Sequence, residues 1–256
     1  MAPRVFITGA SSGIGAALAR AYAARGAVLG LAARRADLLA ELAAGLPGVH
    51  HCYPLDVNDH AAIAAAADDF VARAGGVDVV VASAGVSHGT LTEEAADLPV
   101  FETILATNVT ATVATFAPFI GHMKSQSGPR RLVGIASVAG IRGLPGAGAY
   151  SASKAAVISY CESLRLELAP AGIDVVTIAP GYIATPMTEK NAYRMPFLMP
   201  ADRFALRALR AIDAGASYRV IPWQMGVVAR ILRLLPNWLY DAAFRRAPHK
   251  ARKAVP

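Results

Sequence analysis

The residues Thr8-Gly9-Ala10-Ser11-Ser12-Gly13-Ile14-Gly15 lie between the apolar run Val5-Phe6-Ile7 and an Ala-rich segment, Ala16 to Arg25. Small residues at a strand-to-helix turn let free backbone N–H groups approach a pyrophosphate, and the helix N-terminus favours its charge. Ile14, Leu18 and Tyr22 follow at helical spacing, so the stretch reads as strand, tight turn and helix, a dinucleotide cradle; the plainer reading of these eight residues taken alone is a Gly/Ser turn in any α/β domain. Its glycines run Gly-x-x-x-Gly-x-Gly, whereas Gly-x-Gly-x-x-Gly is the commoner order. Farther along stand four polar residues, Asn108, Ser137, Tyr150 and Lys154. Tyr150 and Lys154 are at i and i+4, which sets a phenol and an ammonium on one helix face. Their neighbours Ser151, Ala152, Ser153, Ala155 and Ala156 are small, as expected where a helix lies against a ligand or a sheet.

The elements that must position these groups follow from periodicity. Val28 to Ala33, His51 to Leu55, Val77 to Ala82, Arg131 to Ala136, Asp174 to Ile178 and Tyr218 to Ile221 read as strands. Leu38 to Ala44, Ala61 to Ala74, Phe101 to Met123, Ser151 to Leu168 and Ala201 to Ala214 read as helices. This alternation predicts an α/β fold, a doubly wound parallel sheet of about seven strands with helices on both faces. Ligands of such sheets bind at the carboxyl ends of the strands.

Those strand ends carry further candidates. The second strand ends before Arg34-Arg35, where an acid would hold ribose hydroxyls and a guanidinium would pair with a 2′-phosphate. Arginine in place of acid predicts a preference for NADP(H) over NAD(H); the plainer reading is a solvated basic start to a helix. Asp56-Val57 closes the third strand, where the carboxylate either accepts from an adenine amino group or caps the helix beginning near Asp59. Ser83-Ala84-Gly85 follows the fourth strand, and small residues there let the backbone run close to a cofactor.

Thr8 to Gly15, Asp56, Ser83-Ala84-Gly85, Asn108, Ser137, Tyr150-x-x-x-Lys154 and Pro180-Gly181 with Thr185 resemble, in order and spacing, the single-domain short-chain dehydrogenase/reductases. The resemblance covers residues 4 to 221 and implies a Rossmann-like oxidoreductase domain over 1–221. It implies that Gly9, Ser11, Ser12, Gly13, Ile14, Gly15, Arg34, Arg35, Asp56, Val57, Ser83, Ala84 and Gly85 bind the cofactor. It also implies that Tyr150 is the general acid/base, giving its phenolic proton to a carbonyl oxygen as hydride arrives from the nicotinamide. A free tyrosine titrates near about 10, so a neighbouring cation, Lys154, must favour the phenolate. Lys154 would also hold the nicotinamide ribose, Ser137 the substrate oxygen and Asn108 a relay water, while Pro180, Gly181, Ile183 and Thr185 line the carboxamide side. The family usually has Asn-Ala-Gly where this chain has Ser83-Ala84-Gly85. Homodimers or homotetramers are implied as well, through the helices at Phe101 to Met123 and Ser151 to Leu168.

Tyr182 to Met187 and Asn191 to Pro200, with Tyr193, Met195, Phe197, Leu198 and Met199, occupy the family's substrate lid. Their mostly apolar side chains predict an apolar ketone, aldehyde or secondary alcohol. His88 and Arg142 sit on loops at the same end, where either contacts substrate or is merely solvated. Residues 222–256 form a basic amphipathic extension with Trp223, Trp238, Arg230, Arg233, Arg245, Arg246, Lys250, Arg252 and Lys253. From Pro200 to Pro256 there are 11 Lys/Arg against 3 Asp/Glu, more than the net +7 of the entire chain. The basic residues flank an apolar segment rather than a base-reading element, so nucleic acid is not the expected partner. A helix packed on the pocket or on another subunit is expected, and a helix lying in an anionic membrane interface is the alternative.

Composition sets the remaining bounds. With 55% hydrophobic and 17% charged residues the chain can bury one large core and is not a disordered protein. The longest apolar runs fall short of the roughly 20 residues of a membrane-spanning helix, and the first strand begins within four residues of Met1, so a cytoplasmic protein is expected. Cys52 and Cys161 give neither a disulfide framework nor metal-ligand spacing and are expected to be core thiols. Two other classes share the fold: a nucleotide-sensing scaffold, which would be expected to have lost the four polar residues, and an epimerase or dehydratase, which usually carries a longer substrate domain.

Overall fold

The β-branched runs form seven parallel strands that accept cover on both faces. In the computed structural model, which describes residues 2–189, 191, 193–247 and 250–252, they are β1 (Arg4–Thr8), β2 (Val28–Ala33), β3 (His50–Pro54), β4 (Val79–Ala82), β5 (Arg131–Ile135), β6 (Asp174–Pro180) and, last in chain order, β9 (Tyr218–Ile221). Their order across the sheet is β3-β2-β1-β4-β5-β6-β9. Winding reverses between β1 and β4, where Thr8 pairs with Ala82 on one side and with Ala32 on the other. A crevice opens at such a switch point. A separate two-stranded ribbon joins β7 (Ile183–Ala184) to β8 (Met199–Pro200).

Alternation along the strands splits the core in two. Val5, Ile7, Leu29, Leu31, Val81 and Val133 face α1 (Gly13–Ala23), α2 (Ala36–Ala44) and α8 (Ala201–Asp213). Phe6, Val80, Leu132 and Val175 face α3 (His60–Ala74), α5 (Ala111–Ser125) and α6 (Gly148–Leu168). Phe6 packs there against Phe70 and Phe119, with ring centroids 5.6 and 4.9 Å away. Each such buried ring contributes about 2–3 kcal/mol of hydrophobic stabilisation. The small helix α7 (Pro186–Glu189) follows β7, and α9 (Trp223–Leu234) and α10 (Asn237–Phe244) follow β9.

The helix expected over Phe101 to Met123 is not one regular element. It comprises α4 (Leu98–Leu105), a π-helical turn over Ala106–Thr110, and α5. The hydroxyls of Thr112 and Thr115 donate to the carbonyls of Asn108 and Ala111, four residues back, at 2.8 and 2.7 Å. Such back-bonding bends helices, and a π-turn inserts one extra residue. The helical run Ala95–Ser125 is, by length and composition, apolar enough to cross a bilayer, contrary to the expectation from apolar run lengths. Here Phe116, Phe119 and Met123 are fully buried within the protein. Cys161 is buried as expected, but Cys52 is exposed, because β3 is the edge strand.

The tail packs on the loop after β5. Met225 and Ala229 turn inward. The Arg142 guanidinium donates to the carbonyls of Leu232, Arg233 and Leu235 and to Asn237 Oδ1 at 2.8–3.2 Å, and lies 4.0 Å from the Tyr240 ring centroid. Arg142 is therefore a tail anchor, neither a solvated loop residue nor a side chain aimed at substrate. The outer face of α9 leaves Trp223, Val227, Ile231 and Leu234 exposed.

Candidate active site

Thr8 ends β1 with its Oγ1 accepting from the backbone N–H groups of Ser83 and Ala84, at 3.2 and 3.4 Å. This closes the ends of β1 and β4 against each other. Gly9 has φ +68°, a left-handed conformation, and a Cβ on it would stand 2.8 Å from the Ala84 backbone. A Cβ on Gly15 would overlap the Gly9 carbonyl. Both positions therefore require glycine, and the cradle they leave at the start of α1 fits a dinucleotide pyrophosphate. Gly13 lies under Thr185, whose methyl would be 3.3 Å from a Cβ there, so the segment after β7 closes over the glycine turn.

The basic pair after β2 diverges. Arg35 donates from Nη2 to Ser11 Oγ and Ser12 Oγ at 3.1 and 2.8 Å. Ser12, the residue that would cap α1, makes no side-chain cap and holds this arginine instead. Arg34 lies 3.9 Å from Asp56, a contact too exposed to add much stability. Asp56 Oδ1 accepts from the backbone and side-chain nitrogens of Asn58 at 2.9 and 3.0 Å. The cap of α3 is Asp59, which accepts from Ala62 N, so the capping alternative for Asp56 is excluded.

The side chains of three residues expected to bind the cofactor pack into the protein. Val57 is buried against Ile63 and Ala111, Ile183 joins the core beside Ile178, and Ile14 packs half-buried on the same core. Gly181 takes its identity from packing: a Cβ there would lie 2.7 Å from Met225 at the start of α9, and its N–H donates to Ile221 O at 2.8 Å. Pro180, before it, ends β6 and is buried.

Asn108, Ser137, Tyr150 and Lys154 converge beyond the ends of β4 and β5. The π-turn directs Asn108, fully buried, toward the strand-end loop. Its Oδ1 accepts from Val86 N at 2.8 Å, and Nδ2 donates to Val86 O at 3.0 Å and Ser153 Oγ at 2.9 Å. Its amide is thus committed to holding Gly85-Val86 in place rather than to a water. Ser137 Oγ accepts from Ala139 N at 3.1 Å and stands close enough to the Tyr150 phenol to affect its titration. Helix α6 begins before Tyr150, and a Cβ on Gly140 would strike the Lys154 backbone, so the loop after β5 rests directly on the helix. The Lys154 ammonium donates to Ile135 O at 2.8 Å and lies 5.8 Å from the Tyr150 ring centroid.

Burial opposes charge on both groups. It raises the Tyr150 phenol above its ordinary value, against the opposite pull of Ser137, and lowers the Lys154 ammonium to about 8. Tyr193 is near enough for Tyr150 to affect its titration, and its ring meets Tyr182 edge-on at 6.3 Å. Phe197 and Leu198, expected in the lid, are half exposed and line a shallow groove with Arg203, Arg207 and Gln224. One contact was missed in the sequence: Lys250 Nζ donates to Ser87 Oγ at 2.6 Å. Separation by 163 residues leaves no local signal for that pair. Lys253 lies outside the described residues. Among the described residues no cluster of metal-ligating side chains occurs.

The pattern described as short chain dehydrogenase matches residues 3–195. An uncharacterised oxidoreductase of Myxococcus xanthus is 39% identical over 245 residues, covering 94% of this chain and 95% of that protein. The crystal structure of a short-chain dehydrogenase/reductase from Mycobacterium marinum superposes with a TM-score of 0.78 at 29% identity, covering 86% of this chain and 93% of that one. A 3-ketoacyl-(acyl-carrier-protein) reductase from Brucella melitensis, solved with NADH, gives 0.78 at 26%, covering 86% and 96%. The chain belongs to the short-chain dehydrogenase/reductase family, oxidoreductases that bind a nicotinamide cofactor and act on CH–OH groups.

Proposed function

We propose that this oxidoreductase uses NADP(H) in preference to NAD(H) and interconverts a ketone or aldehyde with an apolar body and the corresponding alcohol. The observation that carries the reading is the convergence of three groups at the carboxyl end of the sheet: the Lys154 ammonium 5.8 Å from the Tyr150 ring centroid, and Ser137 close enough to the Tyr150 phenol to pull its titration down. Gly9, Gly13 and Gly15 would hold the pyrophosphate, Arg35 and Arg34 a 2′-phosphate, Asp56 the adenine, and the Ser83-Ala84-Gly85 and Pro180-Gly181 backbones the nicotinamide half.

When bound, the nicotinamide supplies or accepts the hydride. In the reducing direction Ser137 and Tyr150 hydrogen-bond the substrate carbonyl oxygen and polarise it. Tyr150 transfers its phenolic proton to that oxygen as negative charge develops there, so the carbonyl becomes a carbinol and the phenol a phenolate. Burial alone works against that phenolate, and the nearby Lys154 ammonium offsets the cost. Asn108 keeps Gly85-Val86 against the site, and its backbone carbonyl, already bonded to Thr112, retains a lone pair for a relay water.

Loss of NADPH absorbance in the presence of carbonyl compounds of rising alkyl length tests the reading. Turnover that disappears in Tyr150→Phe while NADPH still binds supports it; turnover retained in that variant refutes it. A homodimer or homotetramer built on the outer faces of α5 and α6, and a cytoplasmic location, complete the proposal, with light scattering as the check on assembly.

A further inference from the structure

The described end of the chain returns to the active site. Gly89 N donates to Ala251 O at 2.9 Å, and a parallel bridge pairs Gly89 with Arg252. Arg252 donates to both oxygens of Asp97, at 2.9 and 3.2 Å, and lies 3.3 Å from Glu94. Asp97 is 3% exposed and also accepts from Leu91 N, so it is a fixed anchor. A Cβ on Gly89 would overlap the Lys250 carbonyl, which leaves glycine as the residue that lets this strap pass.

The strap delivers one side chain. Lys250 Nζ reaches Ser87 Oγ and lies 5.5 Å from the Tyr150 ring centroid. Lys154 Nζ, at 5.8 Å from the same ring, is committed to the Ile135 carbonyl, so two ammonium groups border one phenol. Arg252 is neutralised by Asp97 and Glu94, whereas among the described residues no carboxylate pairs with Lys250. A half-buried cation without a counterion is costly, and an incoming anion removes that cost. The cofactor does not bring that anion here: its phosphates belong at the glycine turn, and its carboxamide is neutral.

We propose that Lys250, with Ser87 beside it, receives a carboxylate carried by the substrate a few bonds from the carbon that Tyr150 serves. The substrate class is then an oxo acid or hydroxy acid with an apolar body, rather than a neutral ketone. This narrows the substrate of the reaction proposed above and rests on that reading. A single ammonium and a hydroxyl suit a monoanionic carboxylate; the Arg252 guanidinium on the strap is spent on its anchor.

The test uses the full chain with NADPH and two compounds, a γ-oxo acid bearing a pentyl tail and its primary amide. The wild type is expected to favour the acid at least about ten-fold in kcat/KM, the scale of one charge-assisted hydrogen bond. Lys250→Gln should bring that ratio near unity, Lys250→Arg should retain most of it, and Gly89→Val, which displaces the strap, should lose it. A ratio near unity in the wild type, or one unchanged in Lys250→Gln, overturns the proposal. So does an equal loss of kcat for both compounds with a shifted pH profile, which would make Lys250 a phenolate-stabilising group instead. Calorimetry on the NADP+-saturated protein separates the two readings. If neither compound is turned over but the acid binds more tightly than the amide and only through Lys250, the carbonyl chemistry fails and the carboxylate site stands. Turnover with equal affinity for acid and amide has the reverse meaning.

Discussion

Arg35 Nη2 lies 2.8 Å from Ser12 Oγ and 3.1 Å from Ser11 Oγ, joining the end of β2 to the glycine turn at the head of α1. Two neutral hydroxyls hold the guanidinium, so its charge is free to meet a phosphate. Arg35→Ala is therefore expected to raise the NADPH dissociation constant about 10- to 100-fold while changing that of NADH less than about three-fold. Fluorescence titration of both cofactors measures this, and equal losses would remove Arg35 from 2′-phosphate recognition.

Lys154 gives the stability of the cofactor-free protein a pH signature. Folding lowers this lysine from 10.5 to about 8, so between those values the unfolded chain binds a proton that the folded chain has released. Stability then rises with pH across that window, by roughly 3 kcal/mol if Lys154 acted alone. The buried tyrosines, raised by folding, pull the other way above about pH 10. Urea melts of wild type and Lys154→Met between pH 7.5 and 10 isolate the lysine: the gap in favour of Lys154→Met should narrow as pH rises, and a constant gap would contradict the assignment.

Asn108 is fully buried with three hydrogen bonds, two of them to the Val86 backbone. Asn108→Ala leaves those Val86 groups and Ser153 short of partners and should cost about 2–4 kcal/mol in denaturant melts. Because the Gly85-Val86 backbone then loses its tether, cofactor affinity should fall as well, an effect that a remote core truncation such as Phe70→Ala would not share.

Arg142 ties the tail to the loop after β5 through four hydrogen bonds and the Tyr240 ring. Arg142→Ala is expected to cost about 1–3 kcal/mol and to speed limited proteolysis within 222–247. The exposed stripe Trp223, Val227, Ile231 and Leu234 is expected to meet another subunit. In co-sedimentation with anionic vesicles the protein should stay in the supernatant; pelleting that Ile231→Glu abolishes would make the stripe a membrane contact instead.

Period and punctuation in the sequence were enough to determine the strands of the main sheet, most helices and the alternation that forces a parallel sheet, but not the short β7–β8 ribbon. Glycine spacing and the Tyr150-x-x-x-Lys154 motif located both halves of the site, because a local turn and a helix face are properties of neighbouring residues. Where local signal competed with tertiary contact the reading was coarser. The π-turn at Asn108 depends on a partner, Val86, that lies on another strand end, and Cys52 is exposed only because β3 is the last strand of the sheet. The basic tail showed its charge in the sequence but not its target. Tertiary structure alone decided that Arg142 holds α9, that Arg252 finds Asp97, and that Lys250 reaches the ring of Tyr150, since each pairing spans 90 or more residues and closes only when the sheet has brought its strand ends together.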